Sequence, residues 1–134
     1  MLDTGPLYAS LDRDDADHAA SRKLIEDASE PLIIPSPVLV EVDYLVHQRL
    51  SPGVFIALLD DIAAGAYRVE DLQPDDYGRV RDLCDRYADA DIGFVDAAVI
   101  AVVERLRETK VATLDRRHFG FIRPRHIDAL LLVP

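Results

Sequence analysis

The chain has 134 residues, 49% of them hydrophobic and 30% charged, a balance typical of one soluble globular domain with a single core. Its 25 acidic and 15 basic residues give a formal net charge of -10, so the surface as a whole repels a polyanion, and any nucleic-acid function must account for that sign. No apolar run is long enough to span a bilayer and no charged leader precedes the first one, so we expect a soluble cytoplasmic protein. Cys84 is the single cysteine, which excludes an intramolecular disulfide and a thiolate metal cluster.

The first third of the chain predicts two helices flanked by two strands. Residues 1–2 are apolar and predict a short strand, and the spacing of apolar residues predicts a helix over 6–11. A second helix is expected from Asp15, a favourable N-cap residue, until Pro31 ends it. Residues 32–34 form an aliphatic run that predicts a buried strand.

The middle third predicts two further helices and a strand. Ser36 is expected to cap a helix that has Pro37 in its first turn and runs to about residue 50. After a break at 51–53, apolar spacing predicts a helix over 55–65, which ends at a glycine. Residues 67–69 then predict a strand.

The last part of the chain continues the alternation of helices and strands. Amphipathic spacing predicts helices over 74–87 and 94–108, and apolar runs predict strands over 111–114 and 129–133. This order predicts a single α/β domain over 1–134, a three-layer α/β/α sandwich whose mostly parallel sheet has about five strands. In such sheets ligands bind beyond the carboxyl ends of the strands.

Two acidic side chains are predicted to face inward from helices. A turn of about 100° per residue places Glu41 near Val38 and Tyr44, on a face suited to burial, where a carboxylate must be paired, protonated or bound to a metal. Asp96 likewise shares a stripe with Val99. The alternatives are a partly exposed Glu41 at the helix edge and an Asp96 that only favours the helix dipole in the first turn.

Two further acids lie at predicted strand ends. Asp3 and Asp115 each follow an apolar strand segment, which places them at the edge of the sheet where α/β folds bind ligands. Thr113 points to the same side of its strand as Asp115 and can orient a carboxylate or a metal-bound water. Each aspartate could equally be a helix N-cap.

Together, the two strand-end acids and the two helical acids can meet at one end of the sheet. At an effective dielectric constant near 20, two carboxylates about 4 Å apart repel by about 4 kcal/mol, so a hard divalent cation is the natural compensation. Ligation by oxygen alone favours Mg²⁺ or Mn²⁺ over zinc. Such a metal can activate water against a phosphodiester, and its charge attracts phosphate to an acidic chain.

Four short segments carry a family resemblance. They are Leu2-Asp3-Thr4, VEVDYL at 40–45, IGFVDA at 92–97 and ATLDRRHF at 112–119. In this order and spacing they resemble the PIN-domain ribonucleases, particularly the toxins of VapBC-type toxin–antitoxin systems, over nearly the whole chain. The resemblance implies a PIN-like fold and metal-dependent RNA cleavage. It also implies homodimerisation and inhibition by a small antitoxin whose side chains enter the active-site groove.

The same resemblance implies roles for individual residues. The acids Asp3, Glu41, Asp96 and Asp115 are expected to bind Mg²⁺ or Mn²⁺ and to activate water. Thr4 and Thr113 are expected to support these ligands by hydrogen bonds. Gly5 departs from the usual pattern, in which many relatives carry Ser or another small polar residue, so one such hydrogen bond is in doubt.

Residues beside the four acids are open to two interpretations. Asp91 can supply a fifth ligand or simply cap the turn before the Asp96 helix. The basic run of Arg116, Arg117 and His118 can hold the RNA backbone or a leaving phosphate, and the alternative is a solvated basic turn.

Three competing functions require sequence features that differ from those found here. An aspartic protease shares the Asp3-Thr4-Gly5 triplet, but it needs an all-β frame and gives Glu41 and Asp96 no role. A phospho-acceptor receiver domain, a non-catalytic signalling module, usually begins with adjacent acids and has a Lys after its last strand. A degenerate PIN-like fold kept only for protein binding should lack a ligand, and here none is missing.

Overall fold

The structure, a computed structural model, describes residues 1–134 and alternates helices with short strands. The helices are α1 Thr4–Leu11, α2 His18–Glu26, α3 Ser36–Arg49, α4 Pro52–Ala63, α5 Pro74–Arg86, α6 Phe94–Leu106 and α7 Arg116–Phe121. The strands are β1 Leu32–Pro35, β2 Tyr67–Glu70, β3 Lys110–Ala112 and β4 Leu131–Val133. A short 3-10 turn, Ala88–Ala90, precedes α6.

The strands form two parallel pairs, β1 with β2 and β3 with β4. The first residues of the chain lie between the pairs: the Leu2 N–H donates to the Ile33 carbonyl at 2.7 Å, and the Asp3 N–H donates to the Ala112 carbonyl at 3.0 Å. Only a single parallel bridge, Leu2 to Ala112, is formed there, because α1 begins at Thr4 and leaves no room for a longer strand. The α/β class and the parallel pairing are confirmed, and the prediction of about five strands is wrong.

The core is centred on α6. Seven consecutive residues of this helix, Ala97–Val103, are buried, because α6 packs against α5, α3 and β1. These positions carry only Ala, Val and Ile, and the small alanines among them let neighbouring elements approach closely. Since the N-terminus of α6 carries Asp96, burial of the following turns fixes where that acid lies. No helix has the length and apolar character needed to cross a membrane.

Ion pairs tie α6 to α5 and β2. Arg105 contacts Glu70 at 2.8 Å and Asp76 at 2.9 Å, and Arg79 forms a two-point contact with Glu104 at 2.7 Å. Arg79 and Glu104 are about nine-tenths buried, a setting in which paired geometry matters more than at the surface. These contacts hold the helix that carries Asp96 at one position against its neighbours.

Two short helical features were not predicted as the structure has them. Helix α1 begins at Thr4 rather than Pro6, and α7 occupies a segment after the predicted strand 111–114 for which no helix was predicted and whose first residues were open to interpretation as a basic turn. Helix α7 is only six residues long, begins with three basic side chains and contains a glycine. It therefore lacks the regular spacing of apolar residues from which a helix is predicted. Its N-cap is Asp115, whose side chain accepts the His118 N–H, as the capping alternative for Asp115 allowed.

Candidate active site

One open groove, the acidic groove, receives all four predicted acids. It has a volume of about 660 Å³, and its lining includes Asp3, Glu41, Asp96 and Asp115. The acids come from the end of the first chain segment, the second turn of α3, the first turn of α6 and the N-cap of α7. The groove lies where the chain leaves β3 and the Met1–Asp3 segment, at the carboxyl ends of these parallel segments.

Asp3 is the most buried of the four acids. Its exposed fraction is 5%, and burial raises the pKa of its carboxyl from 3.8 to about 6. The nearby negative charges of Asp96 and Glu41 also raise this pKa, while a hydrogen bond from Thr113 opposes the shift. Asp3 is therefore a carboxylate in surroundings that favour a proton or a cation.

Thr113 connects two of the acids. Its fully buried hydroxyl donates to Asp3 Oδ2 at 2.8 Å and accepts the backbone N–H of Asp115 at 2.9 Å. Both capacities of the hydroxyl are used, so its orientation is fixed. The predicted support of a carboxylate by Thr113 matches this geometry.

Glu41 reaches the groove from an exposed position on α3. Its carboxylate accepts a hydrogen bond from the Thr4 hydroxyl at 2.5 Å, which supports it as predicted for Thr4. The prediction that Glu41 lies on a buried face is wrong. The buried stripe of α3 is Val38, Val42 and Val46, and Tyr44 is 63% exposed. Since apolar residues surround most of this helix, spacing alone selected the wrong face.

Asp96 and Asp115 lie on either side of His118. The imidazole Nδ1 is 2.8 Å from Asp115 Oδ2 and 3.4 Å from Asp96 Oδ2. Burial raises the pKa of Asp96, the His118 charge lowers it, and the charges of Asp115 and Glu41 raise it further. Asp96 is half-buried, which agrees in part with the prediction that its side chain faces inward.

The donor chemistry of the acidic groove fits a hard divalent cation. All four candidate ligands are carboxylates, and the pKa of Asp3 is raised first by burial and then by the neighbouring charges of Asp96 and Glu41, both of which a bound cation would offset. As the side chains stand, no three His, Cys, Asp or Glu residues are close enough together to hold a metal ion. Each acid instead contacts Thr4, Thr113 or His118, so binding an ion requires the carboxylates to turn toward it.

Comparison with known proteins identifies the family. Residues 1–124 match the PIN domain. The chain belongs to the PIN-domain family. Ribonuclease VapC26 of Mycobacterium tuberculosis is 33% identical to it over 124 residues, which cover 92% of this chain and 92% of that protein. The crystal structure of M. tuberculosis VapC20, described as a Sarcin-Ricin loop cleaving toxin, superimposes with a TM-score of 0.80.

That structural match covers 95% of this PIN domain and 97% of VapC20 at 21% sequence identity, so it establishes likeness of fold. The family resemblance and the PIN-like fold expected from the sequence are thereby confirmed. Membership in the PIN-domain family also leaves no support for the protease and receiver alternatives.

Asp91 does not lie in the acidic groove of this PIN domain. It is exposed and adopts a left-handed backbone, with φ 57°, at the end of the 3-10 turn Ala88–Ala90. Its short polar side chain tolerates this conformation better than most residues. The structure therefore matches the turn interpretation of Asp91 and does not bring it together with the four acids.

Gly5, which departs from the usual family pattern, lies close to Leu114 in this PIN domain. A Cβ added at Gly5 would lie 3.2 Å from Leu114 Cβ and 3.3 Å from Leu114 Cγ. The start of α1 thus approaches the segment after β3 closely, between Asp3 and Asp115. Glycine fits this approach, and any larger residue at position 5 requires the Leu114 side chain to shift by a few tenths of an ångström.

Arg116 and Arg117 line the acidic groove from the first turn of α7. Both are exposed, and Arg116 donates to the Pro134 carbonyl. His118 behaves differently, since its side chain is only 18% exposed and its ring faces the acids. The three residues predicted to contact RNA therefore divide into two that face solvent and one that faces the carboxylates.

A second groove, the apolar groove, adjoins the acidic groove and was missed by sequence reasoning. It has a volume of about 530 Å³ and shares Glu41 with the acidic groove. Four of its apolar residues are largely exposed: Val40 at 73%, Tyr44 at 63%, Tyr77 at 55% and Phe94 at 49%. The spacing of apolar residues placed Tyr44 on a face suited to burial, and the signal that could have been read is that apolar residues dominate residues 37–46 of α3, more of them than one buried face can hold.

Proposed function

We propose that this PIN domain is a metal-dependent endoribonuclease that acts as the toxin of a toxin–antitoxin pair. The observation that carries the proposal is the gathering of Asp3, Glu41, Asp96 and Asp115 in one groove of a PIN domain. The relationship to Ribonuclease VapC26, which spans 92% of both chains, supports RNA as the substrate. Cleavage of RNA and action in the cytoplasm follow from the same assignment.

The four acids are proposed to hold Mg²⁺ or Mn²⁺. When bound, the metal supplies an activated water and charge stabilisation for attack on a phosphodiester. The chain contributes orientation: Thr113 fixes Asp3, and Thr4 fixes Glu41. Burial of Asp3 excludes water from one side of the site and strengthens its electrostatic interaction with a cation.

Arg116 and Arg117 are proposed to hold the RNA backbone beside the site. Guanidinium groups bind phosphate oxygens through two parallel hydrogen bonds, and both arginines are exposed at the edge of the acidic groove. Local positive charge of this kind answers the objection raised by the net charge of -10, since the field at the site differs from that of the whole chain.

The protein partners are proposed to use the two grooves. A second copy of the chain fits the apolar groove, because a two-fold interface places the same patch on both subunits and favours aromatic residues such as Tyr44, Tyr77 and Phe94. The antitoxin is proposed to insert a basic side chain among the carboxylates of the acidic groove, where it would compensate their charge.

Sequencing of RNA ends produced by the purified protein tests the proposed function. The wild type should generate new ends at a limited set of positions when Mn²⁺ is present. The Asp96→Asn variant, purified in the same way, should generate none while its circular dichroism spectrum stays that of the wild type. Equal cleavage by both proteins would assign the ends to a contaminating nuclease and contradict the proposal.

A further inference from the structure

His118 occupies the space between two of the four acids. Its Nδ1 lies 2.8 Å from Asp115 Oδ2 and 3.4 Å from Asp96 Oδ2, and its backbone N–H donates to Asp115 Oδ1 at 2.8 Å. One residue thus contacts both oxygens of Asp115 and one oxygen of Asp96. These acids belong to different helices, α7 and α6, so their relative position depends on what lies between them.

The imidazole ring is held in place by aromatic packing. It forms a T-shaped contact with Phe121, with ring centroids 6.4 Å apart and an interplanar angle of 90°. Phe121 in turn packs against Tyr87, with centroids 5.6 Å apart. The ring is therefore fixed from behind, and its Nδ1 is buried with no well-aligned hydrogen-bond partner of its own.

A buried nitrogen in this setting is suited to orient a carboxylate. We propose that His118 is a positioning residue that holds Asp96 and Asp115 in the orientation from which they bind the metal. The inference rests on the proposed function, and it gives His118 a role different from contact with RNA. It extends a pattern in the groove: Thr4 donates to Glu41, Thr113 donates to Asp3, and Nδ1 of His118 lies within ion-pair distance of the remaining two acids.

The chemistry of metal sites explains why such a residue matters. A metal-binding carboxylate uses one oxygen for the ion, and a donor on its other oxygen fixes the direction of the first. Removing a supporting donor of this kind typically costs about 10–100-fold in metal affinity. Only 18% of the His118 side chain is exposed, which leaves little of the ring for an RNA phosphate.

Calorimetric titration of Mn²⁺ into the full chain without RNA tests this role. His118→Leu keeps an apolar side chain against Phe121 but removes the Nδ1 that lies beside both carboxylates, so its affinity for Mn²⁺ should fall by about 10–100-fold. His118→Asn should restore most of the affinity, because its amide nitrogen takes the position of Nδ1. His118→Gln moves that nitrogen one bond further out and should remain as weak as His118→Leu.

Cleavage measured against Mn²⁺ concentration gives a second readout. His118→Leu should need more Mn²⁺ than the wild type for half-maximal cleavage, and added Mn²⁺ should recover part of the lost rate, since the ligands themselves remain. Equal Mn²⁺ affinity in wild type and His118→Leu would overturn the inference and leave the proposed function intact. Equal weakness of His118→Asn and His118→Gln would overturn it even if His118→Leu fails to fold. A wild type that binds no Mn²⁺ would contradict the metal-dependent function and, with it, this inference.

Discussion

Thr113 donates a hydrogen bond of 2.8 Å to Asp3, a residue 110 positions away in the chain. The same hydroxyl accepts the Asp115 N–H, so one buried side chain links the first acid of the sequence to the last. Asp3 lies beside Thr113 because its N–H pairs with Ala112, the last residue of β3. Pairing of the parallel segments therefore positions the two strand-end acids, and Thr113 fixes their orientation.

Thr113→Val should lower both stability and cleavage. Valine has the shape of threonine but leaves the Asp3 carboxylate and the Asp115 N–H without a buried partner, at a cost of about 1–3 kcal/mol in the free energy of unfolding. Thr113→Ser keeps the hydroxyl and should retain most of the cleavage rate. Urea unfolding and RNA cleavage at saturating Mn²⁺ check both effects. Valine and serine variants of equal activity would show that the hydroxyl does not matter.

Asp3→Asn should stabilise the metal-free protein at neutral pH. The folded-state pKa of about 6 lies above the unfolded value of 3.8, so the folded protein binds a proton more tightly and loses stability as the pH rises between these values. The full penalty, about 3 kcal/mol at most, applies above pH 6. Asparagine carries no charge and avoids it, while its side-chain oxygen can still accept from Thr113.

Urea unfolding in EDTA measures this difference. The free energy of unfolding of Asp3→Asn should exceed that of the wild type at pH 7.5, and the gap should shrink as the pH falls toward 4. Groups distant from Asp3 titrate alike in both proteins, so the gap reports the Asp3 carboxyl together with its repulsion from Asp96 and Glu41. If this difference in free energy of unfolding is absent at pH 7.5, or if it grows as the pH falls, the surroundings of Asp3 do not disfavour its charged form.

Much of the fold could be predicted because helix-breaking residues and aliphatic runs in the sequence coincide with the ends of helices and with the buried strands. Helix breakers delimit α4, and aliphatic runs mark β1 and β3. The first strand could not be predicted correctly, because its length depends on where α1 begins. Likewise, the exposed side of α3 depends on which neighbours cover it, and both Val38 and Tyr44 are apolar.

The candidate site was predictable where acids contrasted with apolar surroundings. Asp3 and Asp115 follow strand segments, and Asp96 lies in the first turn of a helix whose next turns are buried. The positioning contact of His118 could not be predicted from the sequence. It depends on a short helix, α7, that brings the imidazole back toward Asp115 three residues earlier.

The apolar groove makes a prediction about oligomeric state. Tyr44→Asp places a charge among Val40, Tyr77 and Phe94, so it should convert a dimer to a monomer. Ile56→Asp is the matched control, because Ile56 is 58% exposed on α4 and is not part of either groove. Light scattering after size-exclusion chromatography gives the mass of each protein. A wild-type monomer, or a dimer unaffected by Tyr44→Asp, would contradict this use of the groove.

Arg116 and Arg117 predict how RNA binding responds to salt. Replacing both with glutamine removes two phosphate contacts, which should reduce the slope of log affinity against log salt by about 1.4 for single-stranded RNA. The binding measurement uses Asp96→Asn, so that the RNA is not cleaved. Arg22→Gln, on the exposed surface of α2, is the control and should leave the slope unchanged. A slope unaffected by the double change would place the RNA elsewhere.

The dependence of cleavage on a divalent ion tests the central claim most directly. Purified wild-type protein is assayed on RNA with EDTA and again after Mg²⁺ or Mn²⁺ is added in excess, with Asp3→Asn alongside. Cleavage should stop in EDTA, return with either ion in the wild type, and stay absent in Asp3→Asn, because the buried carboxylate is a proposed ligand. Full cleavage in EDTA, or cleavage by Asp3→Asn at the wild-type rate, would contradict an acidic groove that works by holding a metal ion.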